Sequence, residues 1–266
     1  VNKYLFELSD GEHIEAVLMR HDYGNSVCVS SQVGCNMGCK FCESGRLKKR
    51  RNLYAYEIVQ QLILIEEDIG KRISHVVVMG IGEPFDNYDN LIKFLKIINH
   101  PKGMAIGARH ITVSTCGIVP KIKEFSDLDL QFNLAISLHA ANDELRNKIM
   151  PINKAYPLGV LIPCLENYLK KTNRRLTFEY ILLKDINDSE KHALELAELV
   201  KGLNCYINLI PYNETNNIDF KRSSTIQIMK FYDILKKNSV NVTIRREFGS
   251  KISAACGQLR SKKEEV

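Results

Sequence analysis

The chain has 266 residues, of which 45% are hydrophobic and 26% are charged, and its formal net charge is +6. This composition is ordinary for a globular domain and excludes collagen-like, low-complexity and disulfide-scaffold classes. No apolar run approaches the roughly 20 residues that span a bilayer, and the first ten residues lack the regions of a signal peptide. We therefore expect a cytoplasmic protein without a membrane partner, whose basic charge suits a polyanionic ligand.

The chain opens with two short alternating segments, residues 4–8 and 15–20, which predict an antiparallel strand pair. Residues 27–31 predict the first strand of a larger sheet, and the alternation places Cys28 on the face opposite Val27 and Val29. No Pro-, Gly- or Ser-rich linker divides the chain. We therefore expect one domain over residues 1–266, with residues 1–25 as an N-terminal strand extension.

Three cysteines follow in the spacing C-x-x-x-C-x-x-C, at Cys35, Cys39 and Cys42. An iron–sulfur cubane is normally held by four thiolates, so a compact triplet leaves one iron open to a ligand from outside the protein. A structural zinc site would need a fourth Cys or His at regular spacing, and none follows closely. Eight cysteines in 266 residues are also too few for a disulfide framework. The spacing favours a 4Fe-4S cluster over zinc.

Basic residues are concentrated in two segments, one directly after the cysteine triplet and one near the C-terminus. Each run by itself is equally well explained as a solvated loop. Because the two segments flank the thiol-rich ends of the chain, together they favour contacts with phosphate groups. Their members are Arg46, Lys48, Lys49, Arg50 and Arg51, and then Arg245, Arg246, Lys251, Arg260, Lys262 and Lys263.

The rest of the chain alternates between β-branched apolar segments and segments with helical periodicity. The helical periodicity is clearest over residues 58–69, 91–98 and 188–202. Strands are predicted at residues 74–79, 110–114, 132–138, 176–183 and 206–210, with a further extended segment at 240–245. The pattern predicts an α/β fold with about six βα units, either a partial TIM-like barrel or an open doubly wound sheet, and we favour the barrel.

Small, polar or ionisable residues come directly after four of these predicted strands. In both candidate folds the carboxyl ends of parallel strands meet at one edge, where ligands bind. We therefore expect these residues to line one ligand pocket. They include Gly82, Glu83, Ser114, Ser137, Leu138, His139 and Asn213.

The cysteine triplet, together with Gly82-Glu83 after the second core strand, resembles the radical S-adenosylmethionine (SAM) superfamily. Within it, the chain is similar to the RlmN and Cfr family of adenine methyltransferases over about residues 4–260. The shared motifs are Gly80-Ile81-Gly82-Glu83-Pro84, Ser137-Leu138-His139, Met150-Pro151-Ile152-Asn153 and Ala254-Ala255-Cys256-Gly257-Gln258-Leu259. The resemblance implies a radical SAM core and a catalytic C-terminal loop with a basic tail over residues 245–266.

The resemblance also implies a role for each residue of the site. Cys35, Cys39 and Cys42 would hold a 4Fe-4S cluster, and the seven residues after the strands would contact SAM. Cys256 would take a methyl group from one SAM, lose a hydrogen atom to a radical made from a second, and add to adenine. Cys28 would form a disulfide with Cys256 as the product leaves, and Glu15 would accept a proton. The residues alone predict that Glu15 is a solvated strand residue.

The motifs Pro84 and Pro211-Tyr212-Asn213 are more similar to the RlmN branch, which implies methylation at C2 of adenosine in the peptidyl transferase region of 23S rRNA and in certain tRNAs. A Cfr-type C8 methyltransferase that confers antibiotic resistance, a radical SAM enzyme with a non-RNA substrate, and a zinc-containing RNA-binding module remain alternatives. The family further implies RNA as a partner, an electron donor such as flavodoxin or ferredoxin, and a monomer.

Two expectations concern departures from the family and residues without a role. Family members usually carry an N-terminal helical accessory domain that helps to bind RNA, and we expect this chain to lack it. Cys116, Cys164 and Cys205 are expected to pack as small hydrophobic side chains. The sequence assigns no role to Glu43.

Overall fold

The computed structural model describes residues 1–129, 132–245 and 253–259. The strands are β1 (Asn2–Glu7), β2 (His13–His21), β3 (Gly24–Val29), β4 (Gln32–Val33), β5 (Arg51–Asn52), β6 (Ile73–Val78), β7 (Ile111–Thr115), β8 (Asn133–Ser137), β9 (Leu176–Leu182), β10 (Cys205–Pro211) and β11 (Val242–Ile244). The α-helices are α1 (Ala55–Ile69), α2 (Tyr88–Asn99), α3 (Val119–Ser126), α4 (Asp143–Ile149), α5 (Leu158–Thr172), α6 (Glu190–Leu199) and α7 (Thr225–Lys237).

One large sheet organises the molecule, with the strand order β1-β2-β3-β6-β7-β8-β9-β10-β11. Strands β1, β2 and β3 pair antiparallel, and every pair from β3 to β11 is parallel. The parallel strands follow chain order without a reversal, which is the order of a β/α barrel and not of a doubly wound sheet. Within the described residues β1 and β11 each pair on one side only, so the barrel is partial. The predicted α/β fold class is confirmed.

Helix α1 shows how the sequence forms these elements locally. Its apolar residues recur at three- and four-residue spacing, and Ile58, Leu62 and Ile65 are fully buried against the sheet. At its start the backbone N–H of Tyr54 donates to the Glu57 carboxylate at 2.8 Å, which satisfies a donor at the helix end. At its end Gly70 adopts the left-handed conformation, with φ of 59°. The helix therefore has one buried face and two defined ends.

The apolar core lies between the helices and the outer face of the sheet. Strands β6 and β7 contribute Val76, Val78, Ile111 and Val113 to it, all essentially inaccessible to solvent. Residues on the opposite face of the same strands, such as Val77 and Ser114, lie toward the inside of the partial barrel. This alternation leaves the inner face free for a ligand site. No helix in the part of the chain that the structure describes is long and apolar enough to cross a bilayer.

Candidate active site

A pocket lies at the carboxyl ends of the parallel strands, where the loops after β3, β6, β7, β8 and β10 converge. Its wall brings together most of the residues that the sequence predicted, although they come from six separate segments, the sixth being the one that carries Cys256. Two predicted residues do not line it: Glu15, and Leu138, whose side chain is buried in the apolar core behind the wall. The predicted residues in the wall are Cys28, Cys35, Cys39, Cys42, Gly82, Glu83, Ser114, Ser137, His139, Asn213 and Cys256.

The cysteine triplet lies in the loop between β4 and β5. The loop closes on itself, since the backbone N–H of Cys35 donates to the carbonyl of Leu47 at 3.0 Å. Gly45 lies so close to the backbone of Cys39 that a Cβ atom at position 45 would be 2.6 Å from the carbonyl oxygen of Cys39. A glycine is therefore needed there. This folding gathers Cys35, Cys39 and Cys42 on the floor of the pocket.

The three thiols fit an iron–sulfur cluster better than a single metal ion. Burial raises the pKa of Cys35 to about 12, and burial together with its two cysteine neighbours raises the pKa of Cys39 well above the ordinary value. Thiolates at these positions therefore need a bound cation. Among the residues that the structure describes, no three His, Cys, Asp or Glu side chains converge to hold one metal ion. A cubane takes each thiolate on a different iron, so three thiolates that line one pocket suit it.

Glu83 is a carboxylate held rigidly in the pocket wall. One oxygen accepts a hydrogen bond from the backbone N–H of Phe85 at 3.0 Å, and the other accepts from that of Cys116 at 2.8 Å. Burial raises the pKa of Glu83, and these hydrogen bonds oppose the rise. At Gly82 a Cβ atom would meet the side chain of Gln32 at 2.6 Å, so the strand end packs closely behind Glu83. The arrangement suits an ammonium ligand.

His139 is a neutral histidine at the end of β8. Its ring Nδ1 accepts a hydrogen bond from the backbone N–H of Ile181 at 3.0 Å, which leaves the proton on Nε2. Burial lowers the pKa of His139 to about 3, and the nearby cation Arg146 adds to the effect. The edge of its ring packs against Phe41, with ring centroids 4.8 Å apart. His139 therefore offers the pocket an uncharged ring.

Asn213 has a buried acceptor that the protein leaves unpaired. Its Oδ1 has no hydrogen-bond partner among the described residues, although its Nδ2 donates to the carbonyl of Cys256 at 3.4 Å. A buried polar atom without a partner is destabilising, and a donor on a bound ligand would satisfy it. This unpaired oxygen is the observation that best fits the pocket to an amine-bearing ligand such as SAM.

Cys28 and Cys256 line a second part of the same cavity. Burial raises the pKa of Cys28 to about 12, with a further contribution from the nearby Cys256. All eight cysteines are free, so no disulfide joins this pair in the structure. Both side chains lie next to Cys42 in the cavity wall, which places the three thiols around one space. The position of Cys28 agrees with the face predicted from its strand.

The segment that carries Cys256 is anchored to the cluster loop. The backbone N–H of Glu43 donates to the carbonyl of Gly257 at 2.8 Å, and the hydroxyl of Ser44 donates to that of Leu259 at 2.7 Å. The Glu43 carboxylate is itself buried and accepts from Nδ2 of Asn217 at 3.2 Å. The structure thus gives Glu43 a role that the sequence did not reveal, because its partners lie more than 170 residues away.

Glu15 is not the solvated residue that the sequence pattern predicted. Its side chain is only 1% exposed, and its Oε1 lies 3.3 Å from Nζ of Lys3 on the neighbouring strand. The prediction was wrong because both faces of β2 are covered, as its run of six consecutive buried residues shows. Glu15 is not among the residues that line the cavity around Cys28 and Cys256.

Sequence reasoning did not identify two charged groups in or beside the pocket, which are Arg146 and the ion pair of Glu179 with Arg245. Arg146 is 0% exposed and donates to the carbonyls of Cys116, Leu138 and Ser137 at 2.8, 3.1 and 3.2 Å. It thereby fixes the strand ends that carry the pocket residues. No local signal marks it, since an arginine in a short helix is ordinarily exposed.

The second group is an ion pair between Glu179 and Arg245, whose closest side-chain atoms are 3.8 Å apart. Asn208 also donates to Glu179 at 2.9 Å. Burial raises the pKa of Glu179, and Arg245 opposes that rise. The negative charge of a Cys256 thiolate is in turn the largest influence that raises the pKa of Arg245. Arg245 therefore places a positive charge near Cys28 and Cys256.

The three cysteines that were expected to pack as hydrophobic side chains all do so, but Cys116 lies in a smaller apolar cluster next to the pocket. Cys164 and Cys205 do lie in the apolar core. Cys116, although buried, contributes to the pocket wall, and its backbone N–H holds Glu83. A ligand bound in the pocket would therefore lie next to Cys116.

The first basic segment is largely engaged with acidic residues of the protein. Arg51 donates to both oxygens of Glu57 at 2.8 Å, and Lys49 contacts Asp86 at 2.6 Å. Arg46 donates to the backbone carbonyl of Asn217. Of the second segment, Arg246, Lys251, Arg260, Lys262 and Lys263 lie outside the described residues.

Comparison with known proteins gives the family of this chain. The model of the radical SAM superfamily matches residues 29–197. The chain is 58% identical to the probable dual-specificity RNA methyltransferase RlmN of Spiroplasma citri, over 99% of this chain and 77% of that protein. It is also 58% identical to the proteins of the same name from Listeria welshimeri and Enterococcus faecalis, over 98% of this chain and 73% and 75% of theirs.

Solved structures agree with this result. A radical SAM methyltransferase from Sphaerobacter thermophilus superposes with a TM-score of 0.95 at 45% identity, over 98% of this chain and 77% of that one. SuiB of Streptococcus suis, solved with S-adenosylmethionine, has a TM-score of 0.63 at 14% identity over 85% of this chain and 51% of its own, which shows the fold alone. The superfamily uses a 4Fe-4S cluster and SAM. The chain belongs to the radical SAM superfamily and, within it, to the RlmN family of RNA methyltransferases.

Proposed function

We propose that this chain methylates C2 of adenosine in 23S rRNA, in the peptidyl transferase region, and in certain tRNAs. The observation that carries the proposal is the arrangement of Cys28, Cys42 and Cys256 around one cavity. A superfamily member that only generates a radical from SAM needs the cluster cysteines alone. The two further thiols beside the cluster loop support a reaction in which the protein itself carries the methyl group.

The cofactors would be held by the residues that the sequence predicted. Cys35, Cys39 and Cys42 would bind the 4Fe-4S cluster, and the wall residues Glu83 and Asn213 would meet the ammonium and amine groups of SAM. Gly82, Ser114, Ser137 and His139 would complete its surroundings, and Leu138 would support them from the apolar core behind the wall. When bound, the cluster and SAM supply an electron and a carbon radical. Flavodoxin or ferredoxin would donate the electron, and residues 1–266 would act as one catalytic domain and as a monomer.

Cys256 would serve as the methyl carrier. C2 of adenine is an electron-poor carbon between two ring nitrogens, so it offers no nucleophile to a sulfonium methyl group. A carbon radical on a methylated thiol can add to such a carbon. The anchoring of Gly257 and Leu259 by Glu43 and Ser44 supports this role, because it holds the carrier at a fixed place beside the pocket.

Cys28 and Glu15 would release the product. Cys28 and Cys256 line the same cavity, and the nearby Cys256 contributes to the raised pKa of Cys28. The pair would form a disulfide as the bond from Cys256 to the base breaks. Glu15 would accept the proton that C2 of the base loses when the new carbon takes its place. Its carboxylate would first have to exchange the ion pair with Lys3 for a place near the substrate.

Mass spectrometry of RNA and protein together tests the proposal. The protein is reconstituted with iron and sulfide without oxygen, reduced, and incubated with SAM and a fragment of 23S rRNA, and a tRNA is treated in parallel. We expect 2-methyladenosine in both RNAs and a methyl group on the peptide that contains Cys256. Cys205→Ala, which changes a thiol in the apolar core, is the matched control and retains both products.

Cys256→Ala distinguishes the candidates. We expect it to abolish RNA methylation while SAM is still cleaved to 5′-deoxyadenosine. Unchanged methylation in this variant would disprove the carrier role. If the product of the unaltered protein is 8-methyladenosine without 2-methyladenosine, the Cfr-type alternative replaces the proposal. Stoichiometric zinc without iron–sulfur absorbance would favour a binding module without catalysis.

A further inference from the structure

Two tyrosines at the start of α1 form an exposed stacked pair that the proposed chemistry does not use. The rings of Tyr54 and Tyr56 are nearly parallel, with centroids 5.6 Å apart and an angle of 8° between their planes. Their side chains are 56% and 55% exposed. Large aromatic side chains are ordinarily at least half covered, so a pair with this much open ring surface suits a binding partner.

The pair is held on a rigid support. The guanidinium of Arg51 lies over the ring of Tyr54, 5.9 Å from its centroid. Glu57 fixes this guanidinium with two hydrogen bonds of 2.8 Å, and it also accepts from the backbone N–H of Tyr54. Asp10 holds the Nε of Arg51 at 2.6 Å. A preorganised stack of this kind loses little conformational freedom on binding.

A short chain of hydrogen bonds joins the stack to the wall of the active site. Asn52, two residues before Tyr54, accepts from the side-chain amide of Gln32 at 2.8 Å. The other end of that amide accepts from the backbone N–H of Glu83 at 2.9 Å. The pair therefore lies on the rim at the carboxyl ends of the strands, the side on which the pocket opens.

Two further basic residues lie four and six residues before Tyr54 in the chain. Lys48 is exposed and forms no ion pair within residues 1–129, 132–245 and 253–259. Arg50 is 71% exposed, and its ion pair with Glu12, at 3.3 Å, lies at the surface. Such pairs are weak and screened by salt, so the guanidinium of Arg50 can exchange Glu12 for a phosphate. Unpaired nucleotides are usually bound by aromatic rings that stack on their bases and by cations that contact their phosphates.

We propose that Tyr54 and Tyr56 form a stacking site for an unpaired base of the RNA substrate, with Lys48 and Arg50 contacting the adjoining phosphates. This inference rests on the proposed function, because it assumes that the substrate is RNA. A protein partner is a poorer occupant, since the guanidinium of Arg51 lies over the ring of Tyr54 and further basic residues precede the pair in the chain. The site would hold the strand on the rim while another nucleotide enters the pocket.

Binding of a short single-stranded RNA that contains 2-aminopurine tests the site. The fluorescence of this base is quenched when it stacks on an aromatic ring. Replacing both tyrosines by leucine, as Tyr54→Leu with Tyr56→Leu, keeps apolar side chains but removes the rings. We expect the dissociation constant to rise about tenfold in the reconstituted protein, since stacking contributes roughly 1–3 kcal/mol per base. The quenching should be lost as well.

Matched variants separate stacking from other effects. The phenylalanine pair, Tyr54→Phe with Tyr56→Phe, keeps the rings and should bind within about twofold of the unaltered protein. Leu64→Ala removes exposed apolar surface elsewhere on α1, where Leu64 is 46% exposed, and should leave RNA binding unchanged. Equal binding and quenching in the leucine variant and the unaltered protein would overturn the proposal, as would a phenylalanine pair that binds as weakly as the leucine pair.

Activity measurements keep this inference distinct from the proposed function. In the methylation assay we expect the leucine pair to raise KM for RNA about tenfold with little change in kcat, because stacking is remote from the reacting atoms. Its cleavage of SAM without RNA should be unaltered. If the unaltered protein methylates adenosine and the leucine pair has the same KM, the stacking site is wrong and the proposed function stands. If the unaltered protein neither binds the probe nor methylates RNA, both are wrong.

Discussion

Each central parallel strand of the sheet has one face toward the helices and one toward the pocket, and buried residues lie on both sides. Toward the helices the strands carry apolar side chains such as Val76, Val78 and Val113. Around the pocket the buried groups include Glu83, Glu179 and His139, which are polar or ionisable. Buried residues are therefore apolar on the face toward the helices and polar or ionisable around the pocket.

The two faces also differ in what they do for the free energy of folding. Burial of apolar surface stabilises the protein by roughly 25 cal/mol for each Å² removed from water. Burial of an ionisable group is unfavourable unless partners compensate, which is why burial raises the pKa of Glu83 and lowers that of His139. Burial on the helix side stabilises the fold. Burial of ionisable groups on the pocket side lowers stability but holds those groups in place for a ligand.

Cysteine substitutions give the largest expected contrast between the faces. Burial raises the pKa of Cys39 on the pocket side and of Cys164 on the helix side, so the pKa direction alone does not separate them. We expect Cys39→Ala to abolish iron–sulfur absorbance and to lower RNA methylation by about a thousandfold or more, because the cluster loses a ligand. Iron and sulfide analysis after reconstitution, with a methylation assay, measures this.

Cys164→Ala is the control on the helix side. It removes only a sulfur atom that lies 3.8 Å from the carbonyl of Val119, so we expect about 1 kcal/mol of lost stability and unchanged iron content. A protein that retains a full cluster without Cys39, or that loses it without Cys164, would break the comparison.

Arg146 provides the next largest effect. Replacing it by methionine keeps most of the volume but removes the guanidinium that donates to the carbonyls of Cys116, Ser137 and Leu138. We expect a loss of about 3–5 kcal/mol in the free energy of unfolding, measured in urea. SAM affinity should fall as well, since the strand ends move. Lys148→Met, on the exposed side of the same helix, should change stability by less than about 0.5 kcal/mol.

The contrast between the faces also explains how much the sequence could predict. Strands and helices follow from periodicity, because the helix side needs only apolar residues at regular spacing. Pocket residues such as Glu83 and Asn213 were found because they directly follow predicted strands, and a parallel sheet brings strand ends together. These parts of the fold and site depend on local sequence and on one rule of topology.

Buried charges could not be found in the same way. Whether Glu15 or Glu179 is buried depends on partners such as Lys3 and Arg245, which lie on other segments of the chain. Neither residue interrupts or marks the local pattern. The anchoring of Leu259 by Ser44 spans 215 residues and has no counterpart in sequence spacing. The polar contacts around the pocket join residues that are far apart in the chain. The sequence therefore indicated residues of the pocket but not the side chains that hold them in place.

A pH titration sharpens the comparison at His139. Its pKa is about 3 in the folded protein and near 6.5 in the unfolded chain, so between these values the unfolded chain binds the proton. The contribution of His139 to stability is complete above pH 6.5 and is lost as the pH falls toward 3. Between pH 6.5 and 5 we expect a loss of about 2 kcal/mol from this group.

His139→Asn isolates that contribution. Asparagine can accept the hydrogen bond from Ile181 and tolerates the positive φ of 59° at this position, but it does not titrate. Glu83 and Glu179 have raised pKa values and act in the opposite direction on acidification, in both proteins alike. The difference between the two urea-unfolding series therefore reports His139. If stability depends on pH in the same way in the variant and in the unaltered protein, the His139 ring takes up its proton at the same pH in the folded protein as in the unfolded chain.

The smallest expected effect lies where the C-terminal segment meets the cluster loop. Ser44→Ala removes one hydrogen bond, to the carbonyl of Leu259, and we expect about 1 kcal/mol less restraint on the segment that carries Cys256. Methylation of Cys256 should slow about fivefold, by the same free energy, while iron content stays unchanged. Ser126→Ala removes a comparable bond at the exposed end of α3, to the carbonyl of Lys123, and should leave the rate unaltered. Equal rates of Cys256 methylation in the two serine variants, followed by mass spectrometry over time, would mean that the contact with Ser44 only stabilises the fold and does not position the carrier.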